Sequence, residues 1–207
     1  MFERFRKGWS VAMTPPAKLF MALHITPDMV TWGGTIFTVL VALLTIPRGY
    51  LWQGVLLLLL FIFSDGIDGQ MARMMGRKTT WGAFLDSSLD RVGDGAIFGA
   101  VMLYYAGPGD SVLWAGVGLG ALVFGQVTSY VKARGEALDF TVAGGLAARA
   151  DRIVVLLLGT LLTGLGVVWA LPVALCWLCF ASAVTVGQRM AQVRRQSAER
   201  DAVAADA

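Results

Sequence analysis

SDGIDGQMARMMGRKTTWGAFLDSSLDRVGDG, residues Ser64 to Gly95, carries five aspartates: Asp65, Asp68, Asp86, Asp90 and Asp94. Two apolar runs flank it, Gly54 to Phe63 (GVLLLLLFIF) and Ala96 to Tyr105 (AIFGAVMLYY). Carboxylates at or inside an apolar segment are expensive to hold and by default mark a functional site. Asp65 and Asp68 stand i,i+3 apart, and Asp86, Asp90 and Asp94 stand at i,i+4,i+8. Each set lines one face of a helix, so two facing helices could aim four carboxylates into one cavity. Such charges repel unless several are protonated or cations lie between them. Ligation by oxygen alone favours hard divalent ions such as magnesium, manganese or calcium.

The remainder of the chain makes the surroundings of those carboxylates a bilayer. Of 207 residues, 57% are hydrophobic and 15% charged, and the mean hydropathy is +0.67, values that fit a protein living in lipid. The expected fold is an all-α polytopic membrane protein with six transmembrane helices. Apolar runs of the length a bilayer requires lie near 28–46, 51–73, 81–106, 111–135, 150–167 and 170–192. Turn signals separate them at Pro47-Arg48-Gly49, Gly76-Arg77-Lys78, Gly107-Pro108-Gly109, Gly144-Gly145 and Gly164 to Gly166. The segment from Lys132 to Arg149 is polar enough for a loop or a surface helix. With a cytoplasmic N-terminus, only Arg48 falls on the far side and Arg91 within the third helix. Every other lysine and arginine is then cytoplasmic. That asymmetry follows the positive-inside rule. It puts both termini and the aspartates at the cytoplasmic side of the cell membrane.

Residues 1–24 are expected to form a cytoplasmic interfacial segment. Met1 to Met13 reads as an amphipathic helix presenting Arg4, Arg6 and Lys7 to anionic headgroups, ended by Pro15 and Pro16. Thr26 is placed to cap a helix beginning at Pro27. Residues 25–195 form the transmembrane domain, and the polar tail 196–207 is expected to be disordered. No signal peptide is expected. His24, the one histidine, reads as an interfacial loop residue. Cys176 and Cys179 form C-x-x-C inside an apolar run, without the polar βαβ context of a redox motif, and read as packing. The spacings Gly95-x-x-x-Gly99 and Gly116-x-x-x-Gly120 permit close helix contact or dimerisation.

The residues between the acidic pairs sharpen the picture. Asp65-x-x-Asp68-Gly69-x-x-Ala72-Arg73, eight residues, then Gly82-x-x-x-Asp86-x-x-x-Asp90 resembles, at all eight fixed positions, the signature of the CDP-alcohol phosphotransferase family. The chemistry agrees with the pattern. Displacement at a pyrophosphate develops negative charge that metals neutralise. Gly69 and Gly82 let a nucleotide approach the helix backbone, and Arg73 offers a fork of donors to phosphate. The resemblance implies that Asp65, Asp68 and Asp86 ligate two divalent ions, Mg²⁺ or Mn²⁺. Asp90 then contributes to the metal site and acts as general base on an acceptor hydroxyl. Direct in-line attack on the β-phosphoryl of CDP-diacylglycerol would expel CMP without a covalent enzyme intermediate. Ala72 belongs to the same nucleotide-binding segment. Pro27-Asp28-Met-Val-Thr31 resembles the family's stretch at the first spanning helix, so Asp28 and Thr31 either touch the nucleotide or metal or, for Asp28, cap the helix. A structural ion-pair network with Arg73, Arg77 and Arg91 is the competing reading of the aspartates. Asp94, outside the signature, either pairs with Arg91 or stands behind the site.

Lys132, Arg134, Arg149, Arg152 and Arg189 gather at the cytoplasmic ends of the later helices. The positive-inside bias alone would put several there. Yet Lys132 ends one helix, Arg152 begins the next and Arg189 ends the last, so three helices could converge on one anion. Ser129, a turn before Lys132, adds a hydroxyl. Ser129-Tyr-Val-Lys132-Ala-Arg134 with Ala148-Arg149-Ala-Asp151-Arg152 resembles actinobacterial members of the family that use inositol phosphate. It resembles less closely those that use glycerol 3-phosphate. The resemblance implies transfer of a phosphatidyl group to the hydroxyl of inositol 1-phosphate, giving phosphatidylinositol phosphate, with glycerol 3-phosphate as the alternative acceptor. It also implies a homodimer in membrane lipid, and no nucleic-acid partner is expected. A cation transporter would more often show internal repeats and a midplane site. A prenyltransferase would need more helices and a different acid spacing.

Overall fold

The computed structural model describes residues 13–62, 65–76 and 79–205; within these, the side chains of residues 61, 62, 65, 66, 68, 72, 204 and 205 lie outside the description. Helices and turns make up the secondary structure, and there is no strand among the described residues. Helix α1 covers residues 13–22. Pro15 and Pro16 therefore lie within a helical segment instead of ending one, because the proline ring fixes φ at a helical value. The amphipathic helix expected over Met1 to Met13 falls, but for its last residue, outside the described residues. His24, with φ of 58°, sits in the turn that closes α1.

Seven helices follow among the described residues. They are α2 (Pro27–Thr45), α3 (Leu51–Ile62), α4 (Asp65–Met74), α5 (Thr80–Ala106), α6 (Val112–Glu136), α7 (Arg149–Gly164) and α8 (Ala170–Ala205), with a 3-10 turn over Ile46–Arg48. Their starts agree closely with those of the six expected apolar runs, the second of which corresponds to α3 and α4; the ends agree within three residues except that of α8, which runs past 192 to Ala205. Thr26 caps α2 as expected, its hydroxyl oxygen accepting from the Met29 N–H at 3.3 Å. At the far end, Arg48 donates to the Leu44 carbonyl at 2.7 Å, a cation placed where helix carbonyls lack partners. Among the described residues, three stretches are long and apolar enough to cross a bilayer: Pro27–Arg48, Val112–Glu136 and Ala170–Val203. The other expected spans differ for identifiable reasons. α5 carries Asp86, Asp90, Arg91 and Asp94, and α7 has 16 residues with Arg149, Asp151 and Arg152 in its first turn.

The chain divides into two compact units, residues 1–100 and 101–207, the boundary falling inside α5. In the first unit α2 packs on α3 and α4. Val41, Ala42 and Ile46 from the end of α2 are buried, as are Leu51, Val55 and Leu58 of α3 and Met71 of α4. Gln70 of α4 ties in α1 by donating to the Thr14 hydroxyl at 3.2 Å. In the second unit α8 packs against both α6 and α7. Leu156 and Leu157 bury against this unit's core with Leu171, Leu175, Leu178 and Ala181. Cys176 and Cys179 are free thiols. The position of a Cβ on Gly120 would lie 3.1 Å from the Cys179 sulfur, so that cysteine packs between helices.

α8 corrects one expectation. The tail from Gln196, expected to be disordered, is helical through Ala205. At 1.5 Å per residue, the 36 residues of α8 span about 54 Å, well beyond the ~30 Å of a bilayer core. Its polar extension has a partner in the connection between α6 and α7, where Gln196 and Arg200 hydrogen-bond to the main chain of Thr141, Leu138 and Asp139.

Candidate active site

The acidic segment lies in the first unit. α4 begins at Asp65, and α5 carries Asp86 and Asp90 one turn apart. Asp86 is exposed, and its carboxylate makes no hydrogen bond or ion pair with another described residue. Asp90 is half-buried. Arg91 places one nitrogen 3.5 Å from the buried Asp94 carboxylate and 3.9 Å from that of Asp90. Asp94 therefore pairs with Arg91, one of the two roles the spacing allowed. The carboxylates of Asp65 and Asp68, like the side chain of Ala72, lie outside the description. Among the described residues no three acidic, histidine or cysteine side chains come together.

What is present fits a hard divalent ion. The segment's donors are carboxylate oxygens, and Asp86 is open to ligate one. Among the described side chains, a Cβ built on Gly69 would find only the Arg73 guanidinium within 4 Å, at 3.9 Å. Arg73 is exposed and donates from Nε to the Gly69 carbonyl at 3.0 Å, which lays its fork of Nη donors along the same face. Gly82 differs, since Thr79 stands 3.1 Å from its Cβ position.

Two residues that the sequence reading passed over organise the start of α5. The Thr79 hydroxyl accepts from the Gly82 N–H at 2.9 Å, the N-cap bond of a helix that carries two site carboxylates. The Trp81 Nε1–H donates to Asp28 Oδ2 at 3.1 Å. Asp28 thus does not cap α2; it ties the start of α5 to the start of α2. Thr31 donates to the Pro27 carbonyl at 3.0 Å, a back-bond within its own helix. Thr79→Ala is expected to lower the thermal unfolding midpoint in detergent by the equivalent of about 1 kcal/mol, and Thr79→Ser to retain it. Equal midpoints for the wild type and the alanine variant would contradict the cap.

The basic group lies in the second unit. Arg152, in the first turn of α7, is 2% exposed. It donates to the Ala147 carbonyl at 3.2 Å and to the Ser129 hydroxyl on α6 at 3.4 Å. Gly125 makes room for it, because a Cβ there would lie 3.3 Å from the Arg152 Nε. Arg189 of α8 is 8% exposed. It directs three N–H groups at main-chain carbonyls: one to Thr128 at 2.7 Å and two to Gly144 at 3.2 and 3.0 Å. One N–H on each Nη remains for another acceptor. Lys132 is exposed and sits 3.7 Å from Glu136 one turn later. Ser129 and Arg152 are therefore in contact, Arg189 reaches the same helix one residue away at Thr128, and Lys132 lies one turn beyond Ser129 on that helix. Arg189's anchoring role went unread because its partners are carbonyls far away in sequence.

Comparison with known proteins bears on both groups. Residues 24–139, which contain the acidic segment, match the CDP-alcohol phosphatidyltransferase family. The chain is 54% identical over 203 residues to the phosphatidylinositol phosphate synthase of Cutibacterium acnes, covering 94% of this chain and 98% of that one. It is 46% identical to the enzyme of the same name from Streptomyces avermitilis, over 97% of this chain and 85% of that one. Among solved structures, it resembles Mycobacterium tuberculosis phosphatidylinositol phosphate synthase with CDP-DAG bound. The TM-score is 0.84 at 36% identity, over 87% of this chain and 92% of that one. A structure of the same enzyme with manganese and citrate gives a TM-score of 0.81 at 35% identity, over 87% of this chain and 88% of that one. The chain belongs to the CDP-alcohol phosphatidyltransferase family.

Proposed function

We propose that this protein transfers the phosphatidyl group of CDP-diacylglycerol to a hydroxyl of inositol 1-phosphate, releasing CMP. The observation that carries the reading is 54% identity, along 94% of the chain, to a phosphatidylinositol phosphate synthase. The buried Arg152 beside Ser129 supports an acceptor that brings its own phosphate.

Asp65, Asp68, Asp86 and Asp90 would hold the divalent ions, Mg²⁺ or Mn²⁺, two in number. When bound, they neutralise charge on the pyrophosphate. Arg73 binds phosphate oxygens, and the α4 face at Gly69, with Ala72 and Gly82 of the same motif and with Asp28 and Thr31 at the start of α2, receives the nucleotide. Ser129, Lys132, Arg152 and the two remaining N–H groups of Arg189 hold the acceptor's phosphate. Asp90 takes the proton from the acceptor hydroxyl. The hydroxyl oxygen bonds to the β-phosphorus as the bond from that phosphorus to CMP breaks, so the lipid keeps one phosphate and CMP carries the other away.

The protein sits in the cell membrane with six spans, α3 and α4 forming one, and with both termini and the site on the cytoplasmic side. An interfacial N-terminal segment precedes the spans. The concentration of lysine and arginine on one side supports that topology. A homodimer is supported by Gly95, Gly99 and Gly116, where an added Cβ would meet nothing within 4 Å among the described residues, leaving small-residue faces open to another helix.

Metal removal tests the reading. Purified protein in detergent should release CMP only when CDP-diacylglycerol, inositol 1-phosphate and a divalent ion are all present. EDTA should abolish release, and added Mg²⁺ or Mn²⁺ restore it. Release that persists in EDTA would overturn the metal role. Cation flux in vesicles without CDP-lipid would favour a transporter.

A further inference from the structure

The connection between α6 and α7 is fastened along α8 by a row of five side chains, most of which have no part in the reaction just described. The Thr185 hydroxyl accepts from the Leu146 and Ala147 N–H groups at 3.0 and 3.3 Å, and Arg189 donates twice to the Gly144 carbonyl. The Gln192 amide accepts from the Ala143 N–H at 3.3 Å and donates to the Ala143 carbonyl at 2.9 Å. Gln196 does the same at Thr141, at 2.9 and 2.8 Å. Arg200 donates to the Leu138 and Asp139 carbonyls and lies over the Phe140 ring, 4.2 Å from its centroid. Positions 185, 189, 192, 196 and 200 fall on one helix face. The two glutamines treat the connection as a neighbouring β-strand would, exchanging both hydrogen bonds with a single residue.

This fastening leads to Arg152. The Ala147 N–H is held by Thr185, and the Ala147 carbonyl accepts from Arg152. The path between Gln192 and Ala147 passes through Gly144 and Gly145, both at positive φ, 75° and 121°. Gly145 lies directly against Thr185, whose side chain occupies the place of a Cβ. Two adjacent glycines give the free chain many conformations, so fixing the carbonyl that faces Arg152 requires external restraints on either side. The residues gripped by the glutamines are exposed, and water could satisfy their backbone groups. The ladder therefore fixes position more than it stabilises the fold.

We propose that Gln192 and Gln196 are positioning residues for acceptor binding. By fastening residues 141–143 they hold the Ala147 carbonyl and through it orient Arg152. The inference rests on the reading of Arg152 as a ligand of the acceptor's phosphate. The test is the Gln192→Ala/Gln196→Ala double variant of the full chain, purified in detergent. KM for inositol 1-phosphate should rise about tenfold, the equivalent of losing roughly one charged hydrogen bond. KM for CDP-diacylglycerol and kcat should stay within about twofold of wild type, while amide hydrogen exchange quickens over residues 138–148 alone. The milder Gln192→Glu, which keeps the acceptor for the Ala143 N–H and loses the donor, should raise KM less. Faster exchange with an unchanged acceptor KM, or an equal rise in both KM values, would overturn the proposal. Wild type that releases no CMP with inositol 1-phosphate would sink the activity reading instead, and titration with inorganic phosphate would replace KM as the readout. Phosphate binding about tenfold weaker in the double variant would still support positioning; equal binding, or none by wild type, would overturn it.

Discussion

Replacing Asp90 with asparagine is expected to lower kcat by about a hundred- to ten-thousand-fold while KM for CDP-diacylglycerol changes little. The amide keeps the size of the side chain and one carbonyl oxygen, but it cannot take the proton of the attacking hydroxyl. Asp90 stands one turn beyond Asp86 on α5 and is half-buried, with Arg91 3.9 Å away. That setting matches a base working beside the carboxylates that would hold the ions. Steady-state CMP release at saturating acceptor measures the effect. Near-normal kcat would remove Asp90 as base, and an equal collapse of CDP-lipid binding would make it a ligand only.

Arg152→Lys is expected to raise KM for inositol 1-phosphate by about a hundredfold, with KM for CDP-diacylglycerol within a few fold. Lysine keeps the charge and loses the planar fork, whose two arms reach the Ala147 carbonyl and the Ser129 hydroxyl. At 2% exposure a shorter, point-charged side chain cannot reproduce both bonds with the same geometry. The substitution also separates a phosphate ligand from a residue that only steadies the fold. A ligand's loss appears in the acceptor KM alone, whereas a structural loss reduces use of both substrates. Equal changes in both would contradict the assignment.

Much of this molecule can be read from local pattern. The Thr26 cap, the Pro47-Arg48-Gly49 break and the spacing of Asp86 and Asp90 each depend on residues within a few positions of one another, and each is found where its pattern puts it. What escaped was long-range. The tail from Gln196 is polar, a composition that points to disorder, yet Ala, Gln, Arg and Glu are good helix formers and here continue α8 to Ala205. That extension lies along a connection about fifty residues earlier, and no periodicity links Gln196 to Thr141. Arg189 carries the signature of an anion ligand in sequence, but its principal bonds are to the carbonyls of Thr128 and Gly144. Backbone partners leave no trace in side-chain composition. Asp28 likewise had an obvious local role as a cap, and only the fold brings Trp81 to it.

The central claim is that a phosphorylated inositol accepts the phosphatidyl group. Its most direct test is a competition in which purified protein receives CDP-diacylglycerol, Mg²⁺ and equimolar inositol 1-phosphate, glycerol 3-phosphate, free inositol and serine, and the lipid product is identified by mass. The account predicts phosphatidylinositol phosphate as the dominant product, with one CMP released per lipid formed. A dominant phosphatidylglycerol phosphate, or no new lipid in the presence of all four acceptors, would contradict it.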